Sequence, residues 1–285
     1  AVASVLAVVS VELPFSAAYA TLVADNVSTN AEAKAAIFVN FLFIIEKKQK
    51  VLVKDLSERF DVSESMIRKD LKTLENEGKL KRTYGGAIIE RSKAFDENTV
   101  SRVFVNMEGK NHIAHKVTEI IEEDDVIFLD ISSTALSIAG ILKNTNKNIT
   151  VITNMNRVIM EFDNSPNIET IFIGGIYNKK LGGTIGACAI EQINNFNIDK
   201  AFIGAGGVNI EENFLSNFNY DESILKATIL RNSKKNYILT DEEKFFKDGA
   251  YKFGLLSDVD YLITDREPND EIKAALEKED VIVIF

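Results

Sequence analysis

The sequence predicts a small N-terminal winged helix-turn-helix followed by an α/β domain with a mainly parallel sheet. Three observations lead there. Two short amphipathic segments and a hairpin pattern lie between residues 53 and 89, apolar runs alternate with helical segments beyond residue 111, and charge is segregated between the two regions.

In the first region Val53, Leu56 and Phe60 recur three and then four residues apart, which lines one helix face with apolar groups and leaves Lys54, Asp55 and Glu58 wet. Asp61 and Val62 supply a turn. Ser63 then caps a second helix, and Glu64 suits the positive end of its dipole. In that helix Ile67, Leu71 and Leu74 form the core stripe, whereas Ser65, Arg68, Lys69 and Lys72 fall together on roughly the opposite face. Gly78 ends it, and residues 80–83, Gly85-Gly86 and 87–89 read as strand, turn and strand, a wing. Such a helix fits the major groove of DNA, where Arg donates two bonds to a guanine edge and Lys or Ser holds phosphates. Amphipathic helix pairs with charged outer faces are also common in proteins that never touch DNA.

Charge bears on that choice. The net charge is −10, yet residues 46–93 hold 13 Lys plus Arg against 9 Asp plus Glu, an excess of +4 that leaves −14 on the remainder. Acidity thus lies outside the reader. So modest an excess implies weak binding by one module, with useful affinity coming from a homodimer or homotetramer on repeated half-sites.

Residues 1–36 are an extension of uncertain status. AVASVLAVVSVELPFSAAYA resembles the apolar half of a secretion signal, but no basic segment precedes it and Glu12 and Pro14 interrupt it. It is read as a fused or divergent extension, with a targeting segment as the alternative. The 46% hydrophobic content of the 285 residues is enough for a core, and no later apolar run could span a membrane. The single cysteine, Cys188, excludes an intrachain disulfide and fits a reducing, cytoplasmic setting; its apolar surroundings, GACAIEQI, predict a core thiol. His112 and His115 lie three apart on a predicted helix without a third ligand at suitable spacing, so no metal is expected, and the histidines are read as solvent-facing or linker-contacting.

The reader is placed at 37–91 and residues 92–110, polar and aperiodic, read as a linker with some helix possible at its end. From 111 to 285 strands are predicted over 126–130, 149–153, 169–173, 200–204, 236–240, 261–264 and 281–285, with helices over 111–122, 135–142, 156–162, 221–233 and 270–278 between most of them. This alternation defines the α/β domain. Ligands in such folds bind at carboxyl ends of strands. There the chain places Ile131-Ser132-Ser133-Thr134 at a helix start, where amides and hydroxyls can converge on a phosphate or simply cap the helix. Thr153-Asn154, Gly174-Gly175, the loop from Gly182 to Gly186 and Gly204-Ala205-Gly206-Gly207 also permit close backbone approach, although turn glycines look the same.

VSESMIRKDL followed by LKRTYGGAI resembles the DNA-binding domain of the DeoR family of bacterial transcriptional regulators. IFLDISST, VITN, IFIGGIYN, GACAIEQI, DKAFIGAGGVN, ESILKATI, LTDEEKF and LITD stand in the order of that family's sensor domains, so the resemblance spans most of residues 51–285. Met66 stands where the family usually has Thr, Ile37 where it has Arg, and Ser132 where it has Gly. The resemblance implies operator double-stranded DNA as a partner, contacted by Ser63, Ser65, Met66, Arg68, Lys69 and Lys72 and by Lys81, Arg82, Tyr84 and Gly85 of the wing. It implies a sensor similar to ribose-5-phosphate isomerase that takes a phosphorylated sugar or polyol, with Asp130, Ser132, Ser133 and Thr134 at the phosphate. Thr153, Asn154, Gly174, Gly206, Asn209, Glu222, Lys226 and Lys244 complete the expected effector site.

Catalysis is not expected. The isomerases carry acidic catalytic groups in a Gly-Ala-Asp-Glu-Ile-Asp type segment, where this chain has Gly204-Ala205-Gly206-Gly207-Val208-Asn209. Moving a proton between neighbouring carbons needs a carboxylate base, which Gly206 and Asn209 do not offer. Glu222 and Lys226 could bind a ligand or form an i,i+4 helix pair. The expectation is a cytoplasmic, homo-oligomeric repressor of sugar or polyol catabolism, without cofactor, released from its operator by a phosphorylated effector. A sugar-phosphate isomerase-like enzyme with an appended DNA-binding domain is the alternative.

Overall fold

The computed structural model describes residues 50–76, 80–88, 92–93 and 99–285. The readings of residues 1–36, Ile37, Gly78 and Ile89 fall outside them. The chain divides into two compact units, Ala1–Glu90 and Arg91–Phe285.

In the small unit β1 (Lys50–Leu52) leads directly into α1 (Val53–Phe60), which ends at Asp61 in the left-handed conformation with φ 50°. A short polar side chain tolerates that backbone, and the reversal makes the tight turn. α2 (Glu64–Asn76) follows, and the Ser63 hydroxyl lies 3.4 Å from the Met66 amide as a long capping contact. Ile67, Leu71 and Leu74 are buried with Val53, Leu56, Val51, Leu80 and Ala87, so the predicted stripes of both helices meet in one core.

The wing is β2 (Lys81–Thr83) and β3 (Gly86–Ile88), joined by Tyr84-Gly85 rather than by the Gly85-Gly86 pair expected from sequence. Gly85 supplies the positive φ of the turn, 82°, while Gly86 already belongs to the strand, opposite Leu52 of β1. A Cβ on Gly86 would sit 2.0 Å from the Val51 carbonyl oxygen. Gly86→Ala is therefore expected to push β1 off the hairpin and destabilise the small unit by roughly 1–3 kcal/mol. Denaturant melts monitored in this unit, with DNA affinity as a second readout, check this; an unchanged midpoint would mean that the strands shift at no cost.

The larger unit opens with β4 (Ser92–Lys93), α3 (Thr99–Arg102) and α4 (Met107–Ile120). Its first half continues as β5 (Val126–Leu129), α5 (Ser133–Leu142), β6 (Ile149–Thr153), α6 (Asn156–Glu161), β7 (Ile168–Phe172), β8 (Ile176–Asn178), β9 (Gly183–Ile185) and α7 (Ala187–Ile193). Then come β10 (Ile198–Gly204), β11 (Gly207–Asn209), β12 (Phe214–Asn217), α8 (Tyr220–Asn232) and β13 (Ser233–Thr240). The last elements are β14 (Lys247–Asp248), β15 (Tyr251–Gly254), β16 (Tyr261–Thr264), α9 (Asp270–Lys278) and β17 (Ile282–Ile284).

Seven strands form a parallel sheet in the order β17-β16-β13-β10-β5-β6-β7. Successive residues of one strand enter opposite cores: Ile127 and Leu129 pack with Val117, Ala139 and Phe202, and Phe128 packs with Ile203, Ile229 and Leu262. Burial on both faces is why these strands read as continuous apolar runs.

Three features depart from the sequence reading. Residues 99–110 are not a plain linker, because α3 and the start of α4 fold into the larger unit and bury Thr99 and Lys110. An antiparallel sheet, β11-β12-β15, replaces what read as glycine loops. Cys188 is exposed rather than a core thiol, because α7 buries Ala189 and Ile193 and so turns position 188 to solvent. His112 and His115 are exposed on α4 as expected.

Candidate functional site

α2 presents Ser65, Arg68, Lys69 and Lys72 to solvent, and Met66 is half-buried beside them. Arg68 is held by Glu64 at 2.6 Å in an exposed i,i+4 pair, an interaction weak enough for a phosphate or base edge to replace. The wing strand β2 is exposed throughout and Tyr84 stands fully clear at its tip. Arg82 also braces the wing, since Glu75 of α2 accepts from its Nε at 2.7 Å and from its backbone amide at 2.9 Å. Those bonds tie the wing to the helix and hold the Glu75 carboxyl below its usual range.

In the larger unit a cleft opens at the carboxyl ends of β5, β10 and β13. It is lined by Ser132, Ser133 and Thr134 at the start of α5, by Gly204, Asn217, Glu222 and Lys226, and by Arg102, Lys110, Asp241 and Lys244. The cleft is narrow, with a cavity volume of about 50 Å³. Ser132 is the N-cap of α5: its hydroxyl accepts from the Ala135 amide at 3.0 Å. That leaves the amides of Ser133 and Thr134 as first-turn donors with no intrahelical partner. Gly204 permits this loop to come close, since a Cβ there would meet that of Ser132 at 2.7 Å.

Asp130 lies just behind the loop. Its Oδ2 accepts from the Gly204 amide at 3.0 Å and from the Lys226 ammonium, which also donates to the Gly204 carbonyl at 2.8 Å and pairs with Glu222 at 3.3 Å. Asn219 caps α8 and places Glu222 and Lys226 four residues apart on the face turned to Asp130. Both are buried and form the i,i+4 pair that the sequence offered as one alternative, and both line the cleft.

Burial lifts the Glu222 carboxyl above its ordinary value, with Lys226 opposing and Asp130 adding to the rise. Burial works against the Lys226 charge, but Asp130 and Glu222 outweigh it and hold the ammonium above the usual lysine range. Across the cleft burial pushes Lys110 down to about 8 against the pull of Asp241. It also lowers Lys244 and raises Asp241, whose groups face each other at 3.8 Å. Arg102, Lys110, Lys226 and Lys244 outnumber Asp130, Glu222 and Asp241 by one, and burial pushes two groups of each sign, Lys110 and Lys244, Glu222 and Asp241, towards their neutral forms. The cleft therefore favours an anion.

Among the described residues Arg102 Nε and Asp241 Oδ1 are buried cleft atoms with no hydrogen-bond partner, and Asp130 Oδ1 behind them is another. Polar groups so placed are receptive to a polar ligand.

Not every expected residue gathers here. Thr153 accepts from the Met155 amide at 3.1 Å and Asn154 donates to the Thr184 carbonyl at 2.9 Å, so both brace the β8–β9 hairpin region. Gly174 is bonded to Gln192, and Asn209 donates to Asp248 at 3.2 Å. Gly206 is bonded to Ser216 beneath Phe218. None of these five lines the cleft. Their place at strand ends was readable from sequence, but the hairpins that cover those ends were not. Conversely Arg102, Lys110, Asn217 and Asp241 were missed: the first two sat in apparent linker, Asn217 in an unrecognised strand, and only Asp241, beside Lys244 in LTDEEKF, had a local signal.

A cationic helix-turn-helix reader with a wing, and a separate α/β unit with an anion-receptive cleft, define a DNA-binding regulator with a sensor. Family models agree: the DeoR-like helix-turn-helix domain matches residues 40–93 and the DeoR C-terminal sensor domain residues 105–266. The chain belongs to the DeoR family of transcriptional regulators.

It is 34% identical over 231 residues to the HTH-type transcriptional regulator GolR of Listeria innocua, covering 80% of this chain and 89% of that one. It is 30% identical to the glycerol-3-phosphate regulon repressor of Escherichia coli (79% and 88% covered) and 29% identical to the L-fucose operon activator of Haemophilus influenzae (85% and 96% covered). These relatives are named as regulators, not enzymes. Among solved structures, ribose 5-phosphate isomerase A of Methanocaldococcus jannaschii matches 49% of this chain and 54% of its own at 19% identity and TM-score 0.37. No helix of the described residues is long and apolar enough to cross a membrane.

Proposed function

We propose that this chain is a cytoplasmic repressor of sugar or polyol catabolism, which holds operator DNA through α2 and the wing and releases it when a phosphorylated sugar or polyol fills the cleft. The observation that carries the reading is the convergence of four cations, the first-turn amides of α5 and unpartnered buried polar atoms on one cleft. Phosphate matches the cations and amides, and hydroxyl groups match Asn217 and the carboxylates. The relatives' names agree on carbohydrate and polyol genes but include both a repressor and an activator. The modest charge of the reader favours a homodimer or homotetramer on repeated half-sites.

The mechanism is linkage. An effector that favours the arrangement unable to bind DNA by about 1–3 kcal/mol lowers operator affinity about 5–150-fold, and operator must weaken effector binding equally. The test selects duplexes from a random pool with the full chain at low ionic strength, then titrates a panel of sugar and polyol phosphates into the complex. Release by one of them is expected. Failure to retain any duplex, or retention unaffected by every phosphate, overturns the proposal, and tightening would assign activation instead.

Within the reader Lys69→Ala with Lys72→Ala is expected to weaken all duplexes alike and to reduce the salt slope of binding by about 2, one for each phosphate no longer neutralised. Arg68→Ala is expected to cost about 1–3 kcal/mol on the selected operator and to relax one base position. An unchanged salt slope would remove the lysines from the interface, and an unchanged base preference would remove Arg68.

A further inference from the structure

Arg102 sits in the first helical turn of the larger unit after the reader, in a segment whose composition reads as linker. Its surroundings are specific. One terminal nitrogen donates to the buried Thr99 hydroxyl at 2.9 Å, and its guanidinium lies over the Phe218 ring at 5.6 Å. Its Nε is buried at the cleft and has no partner among the described residues. α3, which carries it, packs against α5, whose first turn supplies the Ser133 and Thr134 amides. A planar cation fixed on two sides with a free N–H edge beside a helix N-terminus is suited to a phosphate.

The turn between α3 and α4 is held by polar contacts: Asn106 donates to Asp265 at 2.9 Å, and the Val105 amide donates to the Arg102 carbonyl at 3.1 Å. Phe104, Val105 and Met107 are largely exposed, so apolar burial does not anchor the turn. The Lys110 ammonium does, donating to the carbonyls of Arg102 and Val105. Lys110 lines the same cleft, and with two ammonium protons on those carbonyls its third can meet an anion there, so one cation joins the turn to the ligand.

We propose that Arg102 is an anion-binding residue of the effector cleft, so that the phosphate is gripped in part by the stretch that directly follows the reader in the chain. This rests on the reading of the cleft as a phosphorylated-sugar site. Binding then orders residues 99–110 and gives the effector a handle on the chain leading to the DNA-binding unit.

The experiment uses the full chain, with inorganic phosphate, glycerol 3-phosphate, ribose 5-phosphate and glucose 6-phosphate as calorimetric probes. For whichever probe binds the wild type, Arg102→Gln is expected to weaken it about 10–100-fold, the range of a charge-assisted hydrogen bond. Arg102→Lys should fall between, and it carries the test if the glutamine variant does not fold. Independently of any variant, hydrogen exchange of the wild-type backbone over 99–110 should slow when the probe is added. Wild-type affinity in both variants, or unaltered exchange over 99–110 while a probe binds, overturns the role of Arg102. Should no probe bind the wild type, the parent reading of the cleft fails first and this inference with it.

Discussion

Replacing Lys226 with methionine is expected to destabilise the α/β unit by about 3–5 kcal/mol, the cost of removing one partner from a buried ion pair. The ammonium is buried between Asp130 and Glu222, which are themselves buried, and the Gly204 carbonyl takes another of its protons. Methionine is similar in shape, so the loss is electrostatic.

The pH dependence follows from the direction of each shift. Glu222 is raised above 4.5, so its contribution is complete below that value and lost as pH rises through its folded value. Without the ammonium that opposes the rise, the variant's deficit should be least at acid pH and grow as pH rises. Lys226 is held above 10.5, so in the wild type its contribution persists through neutral pH and is lost only as pH climbs beyond that range. Urea denaturation at several pH values measures both effects. A variant within about 1 kcal/mol of wild type at pH 7 would mean that water or a shift of α8 replaces the missing charge.

Leu71→Ala should abolish operator binding while sparing the sensor. Leu71 is buried in the middle of α2, between Ile67 and Leu74, and among the described residues the small unit's core holds few other side chains. Truncation there costs about 2–5 kcal/mol, comparable to the whole stability of a small domain. The larger unit has its own cores and does not draw on this one. Calorimetry should therefore show the α/β transition in place, still shifted upward by a phosphate ligand, with DNA affinity lost. Operator affinity within about threefold of wild type would show that the small unit tolerates the cavity.

Legibility differed by kind of element. The parallel strands were readable because burial on both faces demands an apolar side chain at nearly every position, as in Ile149–Thr153 and Tyr261–Thr264. Strands β11 and β12 were not, since Gly207–Asn209 and Phe214–Asn217 hold small and polar residues whose partners lie across a turn or in β15. Residues 99–110 misled for a related reason. Lys110 is buried with its ammonium satisfied by carbonyls five and eight residues away, and no periodicity marks that. Of the cleft, the Ser132–Thr134 turn and the Glu222/Lys226 pair carried local signals, whereas Thr153, Asn154, Gly174, Gly206 and Asn209 shared the look of ligand loops but lie outside its lining.

The sequence by itself determined the helix-turn-helix and the alternation of strand and helix, because both follow from spacing among consecutive residues: three and four for α1 and α2, continuous apolar runs for the sheet. Only the tertiary structure decided the site. Strand order sets β5 beside β10 and brings Asp130 to Lys226 across 96 positions, and the fold turns Arg102, Lys110, Asp241 and Lys244 onto the same opening. A buried charge is stable only where its partner arrives, and that arrival depends on how the strands pack rather than on any neighbour in the chain.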